Sequence, residues 1–106
     1  MAFDISAVVT DMITAVKTTV KDKWPEVKDT ANTFLLDRKD RLELLASLRL
    51  QNEISEEFFV KRLADEKAIL ESELRAITVL SKAIAQKAAN AAITVLNNAI
   101  SKFITI

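Results

Sequence analysis

Apolar residues recur at spacings of three and four along nearly the whole chain, the mark of helices that each bury one face. Ile5, Val8, Val9, Met12, Ile13, Val16, Val20 and Trp24 form the first stripe, while Asp11, Thr14, Lys17, Thr18 and Lys21 occupy the other faces. Asp4 stands where an N-cap belongs, its carboxylate placed to accept free backbone N–H groups. A strand is excluded because the apolar residues keep no period of two. The Thr and Val residues weaken intrinsic helix propensity, so packing has to hold this helix.

Trp24-Pro25 is the one strong interruption in the first half. Proline lacks a backbone donor and clashes with the preceding turn, yet is welcome at the first position of a new helix. The stripe passes through as Val20, Trp24, Val27, Ala31 and Phe34 or Leu35 without a change of phase. That continuity predicts a kink or a tight collinear junction rather than a reversal. The stretch from Pro25 to Gln51 then carries a charged patch, Asp37 to Arg41 and Glu43, in which Asp37–Arg41 and Lys39–Glu43 are spaced for i,i+4 pairing on a solvated face. Its apolar residues, among them Phe34, Leu35, Leu36, Leu42, Leu44, Leu45, Leu48 and Leu50, span more than one side, so this helix needs two neighbours or more.

Asn52-Glu53-Ile54-Ser55 reads as a complete turn. Asn52 tolerates the left-handed conformation that closes a helix. Ser55 is a good N-cap, with Glu56 and Glu57 favourable to the helix dipole and Ile54 placed to staple onto Phe59. Beyond it Phe59, Leu63, Leu70, Leu74, Ile77, Ile84, Ala88, Ala92, Val95 and Ala99 fall on one stripe, with Ser81 in its middle. A single helix of about fifty residues would span roughly 75 Å, more than a compact domain of this size allows. After Gln86 the pattern is two-faced, Ala89, Ala92, Val95, Leu96, Ala99, Ile100 and Phe103 opposing Asn90, Thr94, Asn97, Asn98 and Ser101.

Two architectures fit a single all-α domain. One is an up-down bundle of helices at about 4–23, 25–51, 55–84 and 86–105. The other is a long antiparallel hairpin of two arms, 4–51 and 55–105, folded at Asn52. The near-central turn and phase-continuous stripes favour the hairpin. Two helices cannot cover stripes this wide, so a hairpin has to self-associate or meet another helical protein. The residues expected at that contact are Leu44, Leu48, Leu70, Leu74, Ile77, Leu80, Ile84, Val95, Leu96 and Phe103.

Composition narrows the chemistry. The 106 residues include no glycine and one proline, which argues against hairpin-rich β structure. Cysteine and histidine are absent, removing disulfides, thiolate sites and the commonest general base and metal ligand. Fifteen basic residues balance fifteen acidic ones, so no net field steers nucleic acid. The carboxylate pairs Glu53/Glu57, Asp65/Glu66 and Glu71/Glu73 are the only candidate acid–base or cation-binding groups. Their neighbours Glu57–Lys61, Arg62–Glu66, Lys67–Glu71 and Glu71–Arg75 instead have the i,i+4 spacing of a solvated helix flank. No catalytic residue, cofactor or metal site is expected. The longest uncharged run, Ala88 to Ser101, has 14 residues, short of the roughly 20 that span a bilayer. With no signal-peptide pattern at the N-terminus, a soluble, cytoplasmic protein is expected.

The run from Leu42 to Phe59 resembles a SHOCT-type segment, a short helical hairpin with a leucine-rich helix, a Gly-x-Ile-Thr/Ser turn and then Glu-Glu-Phe. Ile54, Ser55, Glu56, Glu57 and Phe58 match that pattern, and Asn52 stands where the family usually has glycine. The resemblance covers residues 41–67 and implies oligomerisation or protein contact, with no catalytic residues to transfer. The competing expectation is a membrane-surface role for residues 76–106, which carry Lys82, Lys87 and Lys102, no acid, and an apolar end at Phe103, Ile104 and Ile106.

Overall fold

The stripe that begins at Phe59 does not run through to the C-terminus; it breaks at residues 76–81. The computed structural model describes residues 3–104, and Ile106 lies outside them. The described residues form helices α1 (Ile5–Val20), α2 (Trp24–Asp37), α3 (Lys39–Leu50), α4 (Glu56–Arg75) and α5 (Lys82–Ile104), with a short 3-10 turn at Lys21–Lys23 and no strand. Backbone bonds from Arg38 N to Phe34 O (3.2 Å) and from Leu42 N to Arg38 O (2.9 Å) carry the ladder across the α2–α3 break. These two helices act as one bent rod, so the molecule is a four-rod bundle.

Each reversal has a local cause. At the first, Lys21 takes a positive φ of 54°, and its backbone N–H closes α1 onto Lys17 O. The start of α1 consequently lies beside the start of α3, and α2 runs back along α1. This corrects the expected collinear junction at Trp24-Pro25. Phase continuity constrains which face is buried, not whether the chain turns, and the turn is made upstream of the proline. Pro25 then sits in the first turn of α2, where its missing donor costs nothing.

The second reversal follows the expected chemistry. Asn52 has φ 61°, and bonds from Glu53 N to Leu48 O (2.8 Å) and Asn52 N to Arg49 O (3.1 Å) complete a Schellman closure of α3. Ser55 Oγ accepts from Phe58 N at 3.1 Å and starts α4. The third reversal corrects the single helix expected from residue 55 to 84. The β-branched run Ile77-Thr78-Val79 is a poor helix former. Ser81 then caps α5, its Oγ accepting from Ile84 N at 3.1 Å.

The rods alternate in direction. α5 packs against both α1 and α4, and Phe3 meets Phe103 edge-on at 5.6 Å, pairing the start of α1 with the end of α5. The core runs through Met12, Val16, Leu35, Leu42, Leu70, Leu74, Leu96 and Ile100, all almost fully buried. Ala85, Ala88, Ala89 and Ala92 are fully buried on α5, and small side chains at these positions let its neighbours approach closely. The principal extents are 42 × 25 × 21 Å and the radius of gyration 13.7 Å. An extended hairpin of two fifty-residue arms would be roughly 75 Å long, so the bundle stands and the hairpin does not.

Candidate interaction surface

The α3–α4 side carries the one buried charged residue among those described and an apolar opening beside it. Glu66 on α4 is 4% exposed and is the only buried charged residue among those described. Arg38, at the α2–α3 break, reaches it with two parallel bonds, Nε to Oε1 at 2.8 Å and Nη2 to Oε2 at 3.0 Å. Arg41 adds Nε to Oε2 at 3.0 Å. Burial pushes the Glu66 carboxyl up, but the hydrogen bonds and charges of Arg38 and Arg41 outweigh it and hold the group below its ordinary value. The bond to Glu66 raises Arg38 in turn. The Arg38 guanidinium also lies 5.3 Å from the Phe34 ring centre, within cation–π range.

This cluster departs from the expected i,i+4 pairs. Glu66 takes Arg38 and Arg41 from across the bundle instead of Arg62, and Arg62 turns to Asp65 at 3.4 Å. Arg41 correspondingly leaves Asp37. Among the expected local pairs, Glu71–Arg75 is made at 3.8 Å. With both oxygens held by guanidiniums, Glu66 is a structural anion, and the described residues contain no group of three or more carboxylates placed to hold a metal ion. Sequence spacing missed the cluster because Arg38 and Glu66 are 28 positions apart.

Beside Glu66 lies an apolar groove of about 310 Å³, bordered by Arg41, Leu44, Leu45 and Leu48 of α3 and by Phe58 and Arg62 of α4. Leu44 is 59% exposed and Phe58 49%, while Leu45 and Leu48 form the deeper part. The Asn52–Ser55 turn holds the two helices in register, placing Phe58, in the first turn of α4, beside Leu48, in the last turn of α3.

Of the ten residues expected at an intermolecular contact, Leu70, Leu74, Leu80 and Leu96 are buried in the chain's own core. Ile77, Ile84 and Val95 are half-buried against it. Leu44 and Leu48 come together in the groove, and Phe103 is exposed on its outer side while its ring meets Phe3. Large apolar side chains therefore stay exposed at Leu44 and Phe58 on the α3–α4 face, and singly elsewhere at Leu36, Val60, Ile69, Val79 and Phe103. Phe58 and Arg62 were not anticipated as groove residues; the Glu-Glu-Phe start of α4 carried the signal for Phe58. The apolar face of α5, expected to be available to a membrane surface, packs on α1 and α4, with Ala88, Ala92, Leu96 and Ile100 fully buried. Among the described residues no helix is long and apolar enough to cross a membrane. Compared with family models, curated proteins and solved structures, the chain matches none.

Proposed function

We propose that this chain is a non-catalytic helical interaction module of a reducing, cytoplasmic compartment, and that it self-associates through the α3–α4 face. The observation that carries this reading is the groove in which Leu44 and Phe58 stand about half exposed over Leu45 and Leu48. Large apolar side chains gathered on one face lose unfavourable water contact when covered, at about 25 cal/mol per Å² of apolar area. A standard interface takes roughly 800 Å² from each partner, about an eighth of this molecule's 6453 Å². The resemblance of residues 41–67 to an oligomerising hairpin supports the same face, since the groove is built on that hairpin.

The membrane-surface alternative has less to work with. Its lysine-bearing helix has already buried the stripe that would enter a lipid interface. The deciding experiment is light scattering over a rising concentration series, with Leu44→Glu as comparison. The wild-type mass should move to a multiple of 11.8 kDa while Leu44→Glu stays at one. A wild-type chain that remains a monomer at the highest concentration overturns the proposal, as does an assembly that Leu44→Glu leaves intact.

A further inference from the structure

Charge is unevenly placed on the two flanks of Leu44. At 3.6 residues per turn, Asp40 and Glu43 fall to one side of it and Arg41 and Leu48 to the other. Asp40 and Glu43 face the start of α1, where Asp4 and Lys39 share the same shallow opening. Arg41 and Leu48 face α4, where Arg62 joins them. The first flank sets three carboxylates against one ammonium. The second sets Arg41 and Arg62, with Arg38 behind them, against Glu66 and the Asp65 that Arg62 meets at 3.4 Å, which leaves a net positive charge. Arg41 bonds Glu66 through Nε alone and is 54% exposed, which leaves its two terminal nitrogens as donors for another carboxylate.

A surface that is acidic on one side of an apolar ridge and basic on the other complements itself under one kind of two-fold rotation. With the axis parallel to α3, the acidic flank of each copy meets the basic flank of the other. With the axis across α3, like flanks meet and repel. We infer that two copies pair through Leu44 with their α3 helices parallel, Asp40 and Glu43 of each facing Arg41 and Arg62 of the other. The contact is isologous, with Leu44 on the axis against its own counterpart. This rests on the self-association proposed above and adds its orientation. Parallel helices also bring Gln51, seven residues beyond Leu44 and on the same face, opposite its counterpart.

The chain has no cysteine, so a single introduced thiol reports position without background. Under mild oxidation Gln51→Cys should cross-link to itself in high yield, while Asn90→Cys on the exposed side of α5 should not. Charge reversal supplies the second readout. Asp40→Lys/Glu43→Lys makes both flanks basic, and Arg62→Glu makes the other flank more acidic; Arg41 is kept because it holds Glu66. Each variant, shown to be helical by circular dichroism, should dimerise at least about tenfold more weakly alone. An equimolar mixture should recover the dimer mass. If the wild type dimerises but Gln51→Cys does not cross-link, or the charge variants pair with themselves as well as before, the parallel orientation is overturned and self-association stands. A wild-type chain that stays monomeric overturns both.

Discussion

The two sides of the bundle solve the same packing problem differently. Where α5 meets α1 and α4, the contact is built from alanines and mid-sized aliphatic residues, with Ala85, Ala88, Ala89, Ala92, Leu96 and Ile100 fully out of water. Where α3 meets α4, large residues are left standing in solvent and the helices are joined by a buried carboxylate under two arginines. One side is finished within the chain. The other is held in place by polar bonds that need fixed geometry, yet keeps an apolar groove open. The two sides thus differ in how much large apolar side chain they leave in contact with water, and in whether apolar packing or charged hydrogen bonds join the helices.

The sharpest way to break this contrast is to injure the closed side. Leu96→Ala removes a fully buried side chain between rods that cannot collapse freely, and should cost about 2–5 kcal/mol, read from denaturant midpoints. A loss below about 1 kcal/mol would mean that α5 is far less tightly packed than α3–α4. On the open side the largest effect should come from Glu66→Gln, which leaves Arg38 and Arg41 facing each other without a countercharge. Breaking a fully buried pair costs about 3–5 kcal/mol, and because Arg41 is half in water the expected loss is about 2–3 kcal/mol.

The same carboxyl sets a pH dependence. Its value in the folded chain is below the ordinary 4.5, so its contribution is present in full above that value and is lost as pH falls through the lower folded one. Thermal melts between pH 7 and pH 3 should show Glu66→Gln losing less stability on acidification than the wild type. Equal slopes would remove Glu66 from the stability ledger.

Smaller effects refine the picture. Lys21 holds a positive φ that glycine adopts freely, so Lys21→Gly should gain about 1 kcal/mol by relieving the first reversal. A loss of stability instead would show that the Lys21 side chain contributes more than its backbone strain costs. Leu44→Gln should change monomer stability by less than about 0.5 kcal/mol, since the side chain is mostly in water already. Its effect should appear in scattering mass alone, and a large drop in melting temperature would mean that Leu44 belongs to the core.

Local patterning accounts for a great deal of this molecule. Asp4, whose carboxylate accepts from Ser6 N at 3.0 Å, the Asn52 closure and the Ser55 cap can all be read from a few neighbouring residues, because their bonds join residues close together in the chain. The buried faces of α1 and α5 follow from periodicity in the same way. Residues 76–81 were obscured because the apolar stripe keeps its phase across them, although Ile77-Thr78-Val79 and Ser81 carry the turn's chemistry. Lys21 gave no signal at all, since a lysine at positive φ is tolerated only when the surrounding packing requires it.

Helix type, helix faces and the central turn are thus properties of short segments, governed by propensity and by capping bonds between residues a few positions apart. Whether those helices formed a rod or a four-rod bundle, and which arginines reached Glu66, depended on contacts between residues tens of positions apart. Such contacts are absent from any local window, because the free energy that selects them is released only when distant faces meet and exclude water. Leu96 and Leu44 look alike in the chain; one became core because its helix packs on α1 and α4, and the other stayed at the surface because no element among the described residues covers it.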